Sequence, residues 1–435
     1  MTGAVIYLPV KILMTQEETM EKLTGACLFG QSGGPTSVIN ASAAGVFTEA
    51  LKQDCITGVF GAVHGIKGIL NEDLIDISKE APGELELLKT TPSSALGSVR
   101  YKLADPDKDD SDYRRLLEVF RKYDIRYFFY NGGNDSMDTC NKISKFIQKA
   151  GYKCRVMGVP KTIDNDLSGT DHCPGYGSAA KYIATTFMEI SLDARVYDTP
   201  MACIIEVMGR NAGWLTAASA LAAYKGAGPD LIYLPEIPFT IEKFRKDIRG
   251  VYDKNGGKVI VAVSEGVKDS KGRYVVEMVK DDLAKDSFGH TQLGGTASVL
   301  ADIAKEELGC KVRGIEFSLM QRCAAHLASK NDVEESFLAG KTAVIKAVEG
   351  MTDHMVGFER APGLAYRCDI KLINLSDVAN TEKTVPLEWI TSDGTFVSQE
   401  FIDYALPLIQ GINVTPLDEG LPKFAALKKI RIEKK

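Results

Sequence analysis

The chain has 435 residues, 25% charged and 45% hydrophobic, with 52 lysines and arginines against 58 aspartates and glutamates and a formal charge of −6. That balance excludes a chain disordered throughout, which pairs low hydrophobicity with high charge, and it lacks the basic excess of a nonspecific nucleic-acid binder. No apolar run of about 18 residues is present to span a membrane as a helix, and the length suits two or three domains at roughly 100–200 residues each.

The first segment, residues 1–22, reads as an N-terminal extension. Ala4 to Met14 is mostly apolar but contains Lys11. It lacks the basic start and the small-residue cleavage pattern of a signal peptide, and Met14 is an alternative start. Short β-rich runs then alternate with helical stretches. Ala26–Gly30 is the first strand, and it leads through a glycine-rich turn into a helix over Val38–Leu51. Ile56–Val63 is the second. A helix over Ser111–Tyr123 precedes the third, Asp124–Asn131, and Arg155–Val159 is the fourth. Ala202–Met208 and Lys258–Ser264 follow, with helices between them. This alternation predicts an α/β protein whose mostly parallel sheets are covered on both faces, and two such sheets use the whole chain. Nine widely spaced cysteines with no CxxC pair are expected to be reduced thiols packed as small core residues.

In open parallel sheets ligands bind beyond the carboxyl ends of the strands, so the loops after the strands are the candidate site. The first, Gly30 to Ser37, holds Gly33 and Gly34 before a helix, which suits an anion. It matches neither a Walker loop nor a dinucleotide fingerprint, and taken singly it is equally a tight turn. The second, Asn131 to Asp138, places Gly132 and Gly133 before Asn134, Asp135 and Ser136. These suit phosphate and an oxygen-ligated cation, or a plain helix cap. The third, Gly158 to Asp166, puts Lys161 beside Asp164 and Asp166, a pattern for acid–base chemistry next to a bound anion. The fourth, Glu206 to Trp214, carries Arg210, whose fork suits phosphate. Glu265 ends another strand, and Arg313, Arg322 and Arg100 add cations. Together the loops describe a pocket for two phosphorylated ligands and phosphoryl transfer between them.

The ordered set SGGPTSVINA, NGGNDS, PKTIDND, EVMGR, SEG and R…QR closely resembles the phosphofructokinase family, most of all its pyrophosphate-dependent branch. The resemblance runs from about Thr24 through at least Gly350, and a fair resemblance continues beyond. It implies reversible phosphoryl transfer from pyrophosphate to the 1-hydroxyl of fructose 6-phosphate, with Mg2+, in glycolysis or gluconeogenesis in the cytoplasm. It also implies two doubly wound domains facing across a cleft, in a homodimer or homotetramer. Residues 23–175 with about 321–375 would carry the donor, and 176–320 with about 376–435 the sugar phosphate.

Carried over by position, Asp164 matches the catalytic base, with Lys161, Asp135 and Thr162 in the catalytic set. Thr162, Asp164, Met208, Gly209, Arg210, Glu265, Arg313 and Arg322 match sugar-phosphate contacts. Gly33, Gly34, Arg100, Gly133, Asp135 and Lys161 match the donor side, and Asn134, Asp135 and Asp166 the metal. ATP-dependent relatives usually have glycine where Asp135 and Lys161 stand. A carboxylate at 135 fills the place of a nucleotide's α-phosphate, and the lysine neutralises pyrophosphate instead. Three positions depart from the pattern. Most relatives have an acid at Asn134, bacterial ATP enzymes often have a histidine at Leu319, and many place an interface-crossing arginine at Met201. An ATP-dependent enzyme of this fold and a weakly active regulatory subunit, the latter motivated by Asn134, are the alternatives. The glycine spacing argues against a dinucleotide oxidoreductase.

Overall fold

The computed structural model describes residues 22–278, 295–363, 365–379 and 381–434. The expected extension over 1–22 lies, apart from Lys22, outside the described residues. Two sheets organise the chain. The larger contains β1 (Gly25–Gln31), β2 (Ile56–Ala62), β3 (Leu74–Asp76), β4 (Ile125–Gly132) and β5 (Arg155–Pro160). The smaller takes β6 (Met201–Val207), β7 (Leu231–Tyr233), β8 (Lys258–Ser264) and β9 (Lys311–Glu316), and then β10 (His354–Arg360) and β11 (Cys368–Asn374) return to the larger. The strand orders are β11-β10-β5-β4-β1-β2-β3 and β7-β8-β6-β9. The small sheet is wholly parallel. In the large one only the outer pairs β10–β11 and β2–β3 are antiparallel. The expected α/β class and mostly parallel sheets are borne out.

The central strand β1 shows why the sequence folds this way. All seven of its residues are buried, as expected for a parallel strand covered on both faces. With a side-chain period of two, Cys27 and Phe29 enter the core on one face while Leu28 enters that on the other. On the first face the helices Ile39–Ala50 and Lys330–Val348 cross backbone to backbone at Gly45 and Gly340. A Cβ on either glycine would fall inside contact distance of a carbonyl of the other helix, Phe337 or Ser42. The 20-residue helix Tyr176–Arg195 covers the small sheet, setting Phe187 edge-on to Phe317 at 5.6 Å.

Every strand read from the sequence is present within a residue or two. β3 and β7, three residues each, were too short to show a period. β9 was hidden because it is an exposed, charged edge. The C-terminal part departs from the expected division. Trp389, Phe401 and Leu408 pack on the small sheet's core, but the last residues return to the large sheet. There Asp76 N–H donates to the Ile430 carbonyl at 2.9 Å and Ile432 N–H to the Leu74 carbonyl at 3.0 Å. All nine cysteines are unbonded, seven of them buried. Among the described residues no helix is long and apolar enough to cross a membrane.

Candidate active site

Register brings the site together. Gln31 is level with Asn131, and Gly132 with Pro160, so the loops after β1, β4 and β5 leave the large sheet side by side. On the small sheet Val207 is level with Ser264 and Glu206 with Glu316, so the loops after β6, β8 and β9 do the same.

The first loop is braced from below. Buried Gln31 bonds Asn40 Oδ1 at 3.0 Å and accepts Leu96 N–H at 3.0 Å. Asn40 in turn accepts Ala95 N–H at 2.8 Å. The 95–99 segment is thereby drawn over the loop, where Ser98 Oγ donates to the Gly33 carbonyl at 2.5 Å. This carries exposed Arg100 to the rim. Gly33 has φ +76°, and two cations crowd the pair. A Cβ on Gly33 would lie 3.2 Å from Lys161 Nζ, and one on Gly34 would lie 3.0 Å from Arg322 Nη1.

Lys161 follows β5, is 4% exposed, and donates from Nζ to the Gly34 carbonyl at 2.7 Å. The turn beyond it is held rigidly. Thr162 Oγ1 accepts Asp164 N–H at 3.1 Å. Asn165 is left-handed at φ +57°, a conformation Asn tolerates better than most residues. It is pinned by Cys173 N–H at 2.9 Å and by the Tyr404 hydroxyl at 2.7 Å. Burial, then Asp166 and Glu265, push the Asp164 carboxyl up to about 7 against the pull of Lys161 and Arg322. Burial also pushes Asp166 up. Lys161 is pulled down to about 8 by burial, although both aspartates oppose this. Asp166 Oδ1 is buried without a hydrogen-bond partner.

The loop after β6 faces this turn. Gly209 has φ +130° and its N–H reaches Glu265 Oε1 at 3.3 Å. Its carbonyl accepts Ser264 Oγ at 2.6 Å, and Met208 N–H donates to Gln321 Oε1 at 3.2 Å. Glu265 is raised by burial, against the Gly209 N–H and the charge of Arg210. Asp135 stands exposed in the first turn of the helix Asn134–Lys149, whose cap is Gly133. The arrangement holds cations over a glycine loop, with a carboxylate poised near neutrality and a glutamate opposite. It suits an anionic ligand and the movement of one proton.

A model of the family described as Phosphofructokinase matches residues 27–315. The chain belongs to the phosphofructokinase family. A protein from Xanthomonas campestris pv. campestris is 46% identical over 420 residues, covering 94% of this chain and 98% of its own. One from Halomonas elongata is 44% identical over 411 residues, covering 94% and 97%. Both are named pyrophosphate–fructose 6-phosphate 1-phosphotransferase. The crystal structure of a pyrophosphate-dependent phosphofructokinase from Marinobacter aquaeolei superimposes with a TM-score of 0.84 at 42% identity, over 94% of this chain and 98% of that one.

Two phosphofructokinase positions sit differently from expectation. Arg322, expected on the sugar side, lies against Gly34, and its charge acts on both Lys161 and Asp164. Arg313, also expected at the sugar, is level with Cys203 in mid-strand. That is three residues short of the strand end at Glu316, about 10 Å at about 3.3 Å per residue. It lines instead a surface cavity of about 380 Å³ with Glu189 and Asp193. Asn134, expected at the metal, donates its amide nitrogen to the Thr381 carbonyl at 2.7 Å, a bond that uses Nδ2 and not the oxygen that would ligate a cation. Sequence reading missed Gln321, Tyr404, Asn211 and Glu382. Gln321 adjoins Arg322 in the QR motif and Asn211 follows Arg210 in the fourth loop, but nothing in the local sequence marks Tyr404 or Glu382.

Proposed function

We propose that this chain transfers a phosphoryl group between pyrophosphate and the 1-hydroxyl of fructose 6-phosphate, giving fructose 1,6-bisphosphate and phosphate, in either direction. The observation that carries this reading is the contact of Lys161 and Arg322 with the Gly33–Gly34 loop, beside a carboxylate poised at about 7. Pyrophosphate is small and highly charged, so two cations and a glycine loop match it. Asp135, in the second glycine loop, adds a negative charge that opposes a nucleotide's further phosphate.

In this reading Asp164 takes the sugar hydroxyl proton as that oxygen attacks phosphorus. The bond from phosphorus to the bridging oxygen breaks, and phosphate leaves beside Lys161 and Arg322. Charge placed in advance in a dry site is the main contribution such a protein makes to phosphoryl transfer. Thr162 fixes the Asp164 backbone. Gly209, Arg210 and Glu265 receive the sugar phosphate, and Arg100 guards the donor rim.

The residues fit Mg2+. Asp166 offers a buried, unpartnered oxygen, and this cation prefers one or two carboxylates together with substrate phosphates. Asp166 and Asp135 would hold it, and when bound it would neutralise charge on the transferred group. We place the enzyme in the cytoplasm as a homodimer or homotetramer. Its nine unbonded cysteines support a reducing compartment.

The test is a matrix of initial rates, with pyrophosphate or ATP as donor and fructose 6-phosphate or sedoheptulose 7-phosphate as acceptor, at varied magnesium. Fastest turnover with pyrophosphate and fructose 6-phosphate is expected. Faster turnover with ATP would overturn the reading.

A further inference from the structure

A short segment, Thr381 to Lys383, touches every side of the cleft. On the donor side Asn134 Nδ2 donates to the Thr381 carbonyl at 2.7 Å. In the middle Lys383 N–H donates to the Asp166 carbonyl at 2.8 Å, and Glu382 pairs with Leu167 as a β-bridge. Lys383 Nζ reaches the Thr170 and Asp171 carbonyls at 3.1 and 2.8 Å. On the sugar side Asn211 Nδ2 donates to Glu382 Oε1 at 2.9 Å, and Trp214 Nε1 to the Lys383 carbonyl at 2.9 Å. Two residues further on, Glu236 Oε1 receives both Val385 N–H and Gly213 N–H, at 2.9 and 2.8 Å. One strand of backbone is thus tied to the loop after β4, to the Lys161–Asp166 turn and to the loop after β6.

The chemistry of the two end bonds is one-directional. A carbonyl and a carboxylate only accept, so both asparagines must present their amide nitrogens. At position 134 an aspartate would set acceptor against acceptor and push the segment away. This gives a physical reason for Asn134, where the phosphofructokinase pattern favours an acid. The bond uses Nδ2 and not the oxygen that would ligate a cation, so holding the segment is a role distinct from metal binding and is tested against it below.

We propose that Thr381–Lys383 is a latch across the cleft, held by Asn134 at one end and by Asn211 through Glu382 at the other, and that Asn134 is a positioning residue for the sugar-phosphate loop. The latch rests on the reading of that loop as the sugar site. Loss of either end removes one restraint from the 208–214 loop, so the sugar phosphate must order it further on binding. The cost appears in affinity for the sugar more than in the chemical step.

The experiment compares Asn134→Asp, Asn211→Ala, Glu382→Ala and Glu382→Gln. One lost hydrogen bond predicts a rise of about three- to tenfold in KM for fructose 6-phosphate in the first three, with kcat less affected. Glu382→Gln keeps an oxygen for Asn211 and should recover most of the affinity lost in Glu382→Ala. The pair Asn134→Asp with Glu382→Ala should be less than multiplicative, because both cut one latch. Hydrogen exchange of the ligand-free protein gives a readout independent of activity. Amides of 208–214 should exchange faster in Asn134→Asp, although that residue lies on the donor side. A metal-ligand role predicts the opposite pattern: tighter magnesium dependence in Asn134→Asp with unchanged sugar KM and unchanged exchange, which would overturn the latch. Glu382→Gln as impaired as Glu382→Ala would overturn it as well. Should wild type fail with these substrates, the functional reading falls, and the exchange data still decide the latch.

Discussion

Replacing Asp164 by Asn removes a proton acceptor and almost nothing else in shape. In the direction that makes fructose 1,6-bisphosphate, kcat should fall by about 10² or more, the range for a general base. At 1.36 kcal/mol per decade that is about 2.7 kcal/mol of barrier. The carboxyl sits at about 7 in the ligand-free site, so wild-type kcat/KM should rise with pH and level off above about 7, dropping roughly tenfold per pH unit well below it. In the variant that limb disappears. In the reverse direction Asp164 must start protonated, so activity should fall as pH rises through the same value. The sign for stability is opposite to that for catalysis. A carboxyl raised by burial is ionised at the fold's expense above the usual carboxylate range, so Asp164→Asn should melt no lower than wild type near neutral pH. Stopped assays across pH with a parallel thermal melt check all of this. A variant within tenfold of wild type that keeps the limb near 7 would refute the assignment of the base. A large drop in melting temperature would refute the statement that burial works against the ionised group.

Asp135→Gly should admit a nucleotide, measured as ATP competing with pyrophosphate, without giving fast ATP turnover while Lys161 remains; no gain in ATP binding would sink the steric and charge argument. Buried His172 lies between Asp171 at 2.9 Å and Glu335 at 3.0 Å. Burial alone would lower its pKa, but the two carboxylates outweigh that and raise it from 6.5 to about 9. The ion cluster's stability is therefore full below 6.5 and lost as pH rises through about 9. His172→Gln should melt lower than wild type at acidic pH, with the gap closing by about pH 10. Gly340→Ala gains helix propensity of about 1 kcal/mol but drives a Cβ into the Ser42 carbonyl. Overpacking of about 1–3 kcal/mol should win, seen as an earlier urea midpoint.

Much of the site was legible because the chemistry sits on contiguous residues. Gly33 and Gly34, Lys161 to Asp166, and Met208 to Arg210 each carry backbone freedom and charge within one loop after one strand. A loop after a parallel strand has only one place to go. The same locality hid the rest. Asn211 stands inside a motif that was read, yet its partner Glu382 lies far along the chain in a stretch with no glycine or charge pattern. Tyr404 supports the catalytic turn from a C-terminal helix whose sequence signals only core packing.

The sequence by itself therefore determined the α/β alternation, the loops that carry chemistry and the family to which they belong, since these depend on local spacing and backbone permissiveness. Tertiary structure alone decided which cations meet. Arg322 reaches Gly34 because the two sheets face each other, while Arg313, in a motif just as suggestive, is held in mid-strand by its register with Cys203. Strand register and sheet facing are set by the packing of whole faces, so no window of sequence contains them.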